Sequence, residues 1–392
     1  MASGHIRKRE LKNGKHSWQI VVEADVDPVT GQRNRIYKTV KGGTKKQAEK
    51  IMIQMINELH EGTFIAETTQ TYGQFLEEWL DTYIKPMKSP TTTARYVEQV
   101  EKYIIPALGK KKLQDLKAMD IQKFYNSLAE KSPLSNKPLS AKSIKNIHMN
   151  VLASLGQAVK LDLIKKNPAH HVEVPKTKKY QAQVYSPEEI KFLLENVIDT
   201  DMEVPIALLV GLGLRRGEVL ALRWQDIDLE KGKVYIRKNM ISVNKQVIFK
   251  DPKTETSSRE IELPATLLKL LQIERKRYVA NKLRLGAQFE DNDLVVCWEN
   301  GKCIKPDTLS QKFRRLIEKI GLKHIRLHDL RHTNATLMLS YGVNPKVAQQ
   351  RLGHASISTT MDIYSHVTEK VEKEAADKLD KGIFEALDIS IG

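Results

Sequence analysis

His328 and Arg331 stand three residues apart in IRLHDLRH, so on a helix they share one face. Leu330, Leu337 and Met338 can supply its buried side. Gly342 stops that helix, and Asn344-Pro345 starts another as cap and first residue. The second helix ends at Leu352-Gly353-His354. Ten residues after His354 comes Tyr364, just beyond the turn-prone SISTT. A pair of cations, a second histidine and a downstream phenol are more than a plain core requires, and together they suit attack on an anion. A phosphodiester resists an anionic nucleophile. Arginines engage its non-bridging oxygens through several charge-assisted bonds and neutralise charge that builds up in the transition state. A tyrosine, with a free pKa of about 10, needs that positive field and a nearby base.

A second anchor is GLGLRRGEVLALRW, beginning at Gly211. An apolar helix ends in glycines, presents Arg215, and resumes with an amphipathic turn that carries Glu218. A surface arginine at a helix break accounts for the same residues. Strand-like runs follow at 233–236, 245–249 and 259–263, and Pro252-Lys253-Thr254 lies in the turn before the last of them. A turn lysine is ordinarily solvated. His354, taken alone, suits the cap of a helix C-terminus, where a partly protonated imidazole is favoured.

In chain order, GLRRGE, a hairpin lysine, HDLRH, LGH and Tyr364 extend over about 150 residues. The set resembles the tyrosine recombinases (phage integrase family), most of all the integrases of conjugative transposons and temperate phages. The resemblance implies Tyr364 as nucleophile, Arg215 and Arg331 as phosphate clamps, and His328 as an acid–base group. His354 would donate to a phosphate oxygen, and Glu218 would support the site from beneath. Lys253, with Lys250 as the alternative, would protonate the leaving 5′ oxygen. It implies no cofactor and no metal, and HExxH, P-loop and carboxylate-cluster motifs are missing from the sequence. It further implies site-specific cleavage and rejoining of double-stranded DNA through a 3′-phosphotyrosine. The expected partners are core and arm-type attachment sites and a homotetramer on DNA, with an excisionase and a DNA-bending protein as accessory partners. Two other classes share parts of the pattern. A type IB topoisomerase-like enzyme relaxes DNA by the same chemistry, although a separate basic N-terminal module argues against it. A non-catalytic DNA-binding protein on the same scaffold would not need the intact residue set.

These side chains need a scaffold, and 392 residues allow two or three domains. The net charge of +16 points first to nucleic acid and second to an anionic membrane surface. The longest apolar run, 206–214, is core-sized rather than membrane-spanning. No signal-peptide pattern opens the chain, so a bacterial cytoplasmic, nucleoid-associated location is expected. Cys297 and Cys303 form a C-x5-C pair with no further ligand pattern and read as incidental.

Residues 1–62 form the first expected domain, an arm-type DNA-binding module. It has strand-like runs at 18–22 and 35–40, and a helix over 45–59 opened by a Thr44/Gln47 capping box. Residues 67–175 read as a helical core-binding (SAM-like) domain, with helices near 72–80, 91–105, 119–130 and 141–161. Basic residues outnumber acidic ones by 12 to 7 through Ala66 and by 18 to 11 over 67–178. The positive excess therefore lies mostly ahead of the third expected domain, the catalytic domain at 179–392. Ser186-Pro-Glu-Glu189 opens that domain. In its tail, apolar residues recur every four positions from Val367 to Ile383, which predicts an amphipathic helix over 369–387. The expected fold class is mainly α with small antiparallel β-sheets (α+β), in a multidomain recombinase architecture.

Overall fold

The computed structural model describes residues 3–10, 16–26, 33–41, 44–177, 180, 182–244, 246–251 and 258–364, together with 376 and 379. The chain divides into two compact units, Met1–Lys178 and Lys179–Gly392. It is mainly helical, with small antiparallel sheets.

The first unit opens with an antiparallel meander of β1 (Ser3–Glu10), β2 (His16–Val26) and β3 (Arg33–Lys41). The strand β1 goes unannounced in the sequence because GHIRKRE has one apolar residue in seven. Antiparallel pairing to β2 holds it, with Ile6 opposite Ile20. Helix α1 (Lys45–His60) covers one face of the sheet, and its Thr44/Gln47 capping box is formed. Ile20, Val22, Ala48 and Met55 are buried between the two layers. The segment that follows α1 is pinned by Gln114. Its amide donates to the Ala66 carbonyl at 2.8 Å and accepts from the Thr68 N–H at 3.2 Å.

The helical part of this unit begins with α2 (Tyr72–Trp79), started by a Thr71/Gln74 capping box and prolonged by a π-helical turn over Leu80–Ile84. Next come α3 (Pro90–Gln99), a second π-helical turn and α4 (Ile105–Leu108), then α5 (Ala118–Glu130) and α6 (Ala141–Lys160). On α6, Ile144, Ile147, Val151, Leu155 and Ala158 are buried, the spacing of a single helical stripe. They meet Phe75, Trp79, Ile104, Ile121 and Phe124 in one core. The Tyr72 hydroxyl reaches Ser154 Oγ at 2.8 Å inside that core, which satisfies both buried hydroxyls.

The second unit starts at α7 (Pro187–Glu195), where Ser186 and Glu189 form a capping box. Helix α8 (Glu203–Leu212) buries Val204, Ile206, Leu208, Leu209 and Leu212 and serves as the central helix. It ends at Gly213 in the left-handed region. The short α9 (Arg216–Ala221) then leads into the strands. Of the three expected strand runs, the first and last are neighbours in one sheet and the middle one lies outside it. β4 (Ile227–Asp228), β5 (Lys233–Ile236) and β8 (Arg259–Glu262) form one antiparallel sheet. β6 (Asn239–Val243) and β7 (Gln246–Lys250) form a separate hairpin between β5 and β8. Asn244, with a positive φ of 49°, makes the hairpin turn, a conformation that asparagine tolerates better than most residues.

Two helices outside the motif-bearing stretches, α10 (Ala265–Leu285) and α11 (Pro306–Lys319), complete the core. They contribute Leu267, Leu271, Phe313 and Ile317. Helices α12 (Asp329–Ser340), α13 (Pro345–Leu352) and α14 (Ile357–Tyr364) carry the C-terminal motifs. The SISTT run is not a turn but lies largely within α14, with the Ser358 N–H donating to Ser356 Oγ at 3.2 Å. Apart from residues 376 and 379, the expected tail helix lies outside the described residues. Among the described residues, no helix is long and apolar enough to cross a membrane.

Gly213 has φ of +63°, and a Cβ there would lie 2.5 Å from both Asn334 Oδ1 and Leu352 Cδ2. Gly213→Ala should therefore lower stability by about 2–4 kcal/mol, from the left-handed backbone and overpacking together. Urea unfolding of the variant checks this, and a loss under about 0.5 kcal/mol would contradict the packing described.

Candidate active site

The left-handed turn at Gly213 reverses the chain so that Arg215 sits extended at the N-cap of α9. Glu218, one turn on, accepts the Arg215 backbone N–H at 3.0 Å through Oε2 and Nη1 at 2.7 Å through Oε1. Arg215 Nη2 donates to the Gly353 carbonyl at 2.7 Å, and about a third of the side chain (34%) stays open to solvent. Arg331 projects from the first turn of α12 and is 2% exposed. Its Nη1 donates to the Gly213 carbonyl at 2.6 Å and its Nη2 to the Leu352 carbonyl at 2.5 Å. Both arginines thus meet carbonyls at the C-terminal ends of α8 and α13. Such carbonyls have no intrahelical partner and carry partial negative charge. Burial, then the charge of Arg215, brings the Arg331 pKa down to about 9, which leaves it a cation at neutral pH.

His354 follows Gly353, whose φ of +66° ends α13. Its ring is buried, with Nδ1 3.0 Å from Thr360 Oγ1. Burial first, then the charges of Arg331 and Arg215, push its pKa down to about 3. A protonated helix cap is therefore not its role here, and the ring is neutral. His328 sits exposed at the N-cap of α12. Its pKa is lowered to about 4, by desolvation from the protein packed around it and then by His332 and Arg331.

Because it adjoins Arg331 in the chain, His332 is expected to face another side of the helix. The structure instead stacks it edge-on to His328, with ring centroids 5.2 Å apart and planes at 90°. The reason is that residues four apart share a helix face. The start of α12 is fixed by Asp329, which is fully buried. Asp329 accepts from the Arg326 backbone and guanidinium and from the Tyr180 hydroxyl at 2.9 Å. The Arg326 guanidinium in turn lies 3.7 Å from the centroid of the Tyr180 ring.

Five of the residues singled out by sequence are thereby gathered around the ends of α8 and α13 and the start of α12: Arg215, Glu218, His328, Arg331 and His354. Lys253 lies outside the described residues, and Lys250 ends β7. Tyr364 is the last residue of α14, and its side chain lies outside what is described. The motif spacing gives no sign of Arg259, the first residue of β8. Its Nε donates to the Arg351 carbonyl at 2.7 Å, and its guanidinium pairs with Glu218. Placed at the start of a short strand, it reads as an ordinary edge residue. Among the described residues, no group of histidine, cysteine and carboxylate side chains is arranged to hold a metal ion.

Comparison with known proteins places this arrangement in context. Residues 183–370 match the Phage integrase family, and residues 71–129 match the phage integrase N-terminal SAM-like domain. A tyrosine recombinase XerC-like protein of Caldanaerobacter subterraneus subsp. tengcongensis is 28% identical over 388 residues, covering 94% of this chain and 97% of that protein. The ICEBs1 integrase of Bacillus subtilis is 28% identical over 378 residues, covering 95% and 98% respectively. In fold, the chain is similar to the Tn1549 transposon integrase in complex with a circular intermediate DNA. The TM-score is 0.66 at 20% identity, covering 79% of this chain and all of that one.

The depressed histidines set a pH dependence. A histidine whose folded pKa lies below its unfolded value of about 6.5 adds stability that is complete above that value and is lost as pH falls toward the folded pKa. In the DNA-free protein, the ring resonances of His328 and His354 should stay fixed from about pH 8 to about pH 5. Stability should decline over the lower part of that range. Side-chain NMR of histidine-labelled protein tests this, and titration of His354 near 6.5 would refute the neutral assignment.

Proposed function

The chain belongs to the phage integrase family of tyrosine recombinases, and we propose that it is a site-specific DNA recombinase that integrates and excises a mobile element. The observation that carries this reading is the convergence of Arg215 and Arg331 on the successive carbonyls of Leu352 and Gly353, beside the neutral His354. Two fixed guanidiniums in a partly dry site form a preorganised receptor for the two non-bridging oxygens of a phosphodiester.

In the proposed reaction the Tyr364 phenolate attacks phosphorus, its proton passing to a neighbouring base. The phosphorus–O5′ bond breaks and a 3′-phosphotyrosine forms. Lys253, or Lys250 in its place, gives the leaving 5′ oxygen its proton. His328, neutral before DNA arrives, is able to accept a proton. His354, if Thr360 donates to Nδ1, carries its proton on Nε2 and can donate it toward phosphate. Attack by the 5′ hydroxyl of another strand reverses the step and regenerates Tyr364. Bond energy is conserved because one phosphodiester is exchanged for another, so ligation needs no nucleotide. Glu218 supports the site by holding Arg215 from beneath.

Duplex DNA is the substrate and partner, a reading supported by the complex of the Tn1549 integrase with circular intermediate DNA and by the +16 charge. Recombination of two duplexes calls for four nucleophiles, so the working form is a homotetramer on DNA. Residues 1–62, basic and built around their own sheet and helix, are the arm-type module. Residues 67–175 hold the core site. An excisionase and a bending protein are the accessory factors that set direction.

The test is formation of a covalent protein–DNA complex on nicked suicide duplexes that carry the element's ends. Tyr364→Phe should bind these duplexes as the parent does and form no adduct. Arg215→Lys and Arg331→Lys should retain most affinity but lose on the order of 10²–10³-fold in cleavage, because lysine keeps charge without the planar fork. An adduct from the Tyr364→Phe protein would show a different nucleophile. A second expectation concerns the arm module. Deleting residues 1–62 should spare protection of the core site and abolish protection of any distal sequence in footprinting, and unchanged footprints would exclude the arm assignment.

A further inference from the structure

Glu218 is a buried carboxylate among several guanidiniums. Glu218 is 4% exposed and is bonded by Arg215 through both the backbone N–H and Nη1. Were that the whole arrangement, the carboxylate would cancel the charge of the arginine that has to face an anionic phosphate. Arg259 changes the balance. Its side chain is 6% exposed and spans both oxygens of the same carboxylate, with Nη1 3.2 Å from Oε1 and Nη2 2.8 Å from Oε2. A fork of this kind is among the stronger charge-assisted contacts. Arg259 Nε is anchored on the Arg351 carbonyl, next in the chain to the Leu352 carbonyl that takes Arg331. Gly353 leaves it room, since a Cβ there would lie 3.0 Å from Arg259 Nη1. Arg215, by contrast, pairs with Glu218 through one guanidinium nitrogen and keeps a solvent-facing side.

We propose that Arg259 is a positioning residue of the recombinase site: it neutralises Glu218, so that Glu218 can hold Arg215 in place without cancelling the charge that Arg215 offers to the phosphate. This inference rests on the recombinase reading above. Arg259 acts through Glu218. Among the described residues, the charged groups that bear on Glu218 are Arg215 from the same turn, Arg259 from β8 and Arg331 from α12. Burial alone would raise the Glu218 pKa, but the hydrogen bonds and charge of Arg259, then the charge of Arg215, outweigh burial and hold it at about 2. Removing Arg259 removes the larger opposing contribution, so the Glu218 pKa climbs. At neutral pH the carboxylate then offsets Arg215, and at lower pH it protonates and releases it.

The experiment compares single-turnover cleavage by the full-length parent, Arg259→Met, Glu218→Gln and the double variant. The probes are nicked suicide duplexes tiled across the DNA that flanks the encoding gene. Arg259→Met should cleave at least about tenfold more slowly near neutral pH while binding the same duplex within severalfold. Its deficit should shrink as pH falls toward about 5. Adding Glu218→Gln should recover most of the lost rate, because a neutral amide can still accept from Arg215. A purely structural Arg259 predicts a double variant as slow as the single one, and that result in folded protein overturns the proposal. Should Arg259→Met fail to fold, Arg259→Lys, which keeps charge without the fork, should show a smaller deficit with the same pH trend, and a deficit independent of pH overturns the proposal. A parent chain that forms no covalent adduct on any duplex, by contrast, removes the recombinase reading itself.

Discussion

The second unit depends on one electrostatic constraint: among the described residues, several guanidiniums are kept close together without a matching number of carboxylates. Arg215, Arg259 and Arg331 lie around the single carboxylate of Glu218. Like charges at such separations repel, and burial removes the water that would screen them. The backbone supplies the compensation. Carbonyls of Gly213, Arg351, Leu352 and Gly353, at the ends of α8 and α13, accept from the three guanidiniums. These carbonyls would otherwise be unpaired helix-end acceptors. Neutral dipoles can hold cations without discharging them, so this cluster stays electropositive and suited to an anion.

Glycines make this arrangement possible. Gly213 and Gly353 both adopt left-handed backbone at the ends of their helices. That conformation turns the chain sharply, and with no Cβ the neighbouring side chains can approach. Gly217 has a different reason, because a Cβ there would lie 2.2 Å from Asn239 Oδ1 and 2.4 Å from the Met240 carbonyl. The hairpin of β6 and β7 is thereby allowed to pack directly against α9. The same field acts on the histidines. It helps to hold His354 and His328 neutral, and a phosphate placed between the arginines would oppose that effect. An anion bound there and protonation of the histidines would then be coupled through charge.

Support for the site extends to the start of α12, where Asp329 is buried beneath Arg326 and Tyr180. Tyr180 belongs to a stretch of little apolar periodicity that reads as a linker, yet its ring stacks on Arg326 and its hydroxyl bonds the carboxylate. A local pattern does not reveal such a tie, because the partners are about 150 residues apart in sequence. Asp329 in turn fixes the helix turn from which His328 and Arg331 project.

The sequence alone determined the helical stripes, the capping boxes at Thr44 and Ser186, and the order of the chemistry-bearing motifs. Each of these depends on residues within a turn or two of one another, and local spacing encodes them directly. It also singled out Arg215 and Arg331 by type and context, and the fold brings both to the ends of α8 and α13. Only the tertiary structure decided which strands share a sheet, since β5 pairs with β8 across an inserted hairpin. Only the fold decided that Arg259, 41 residues from Glu218, closes over the same carboxylate. Such contacts are set by how separate elements pack around a shared core. The charge balance of the site therefore has no signature in any single stretch of the chain.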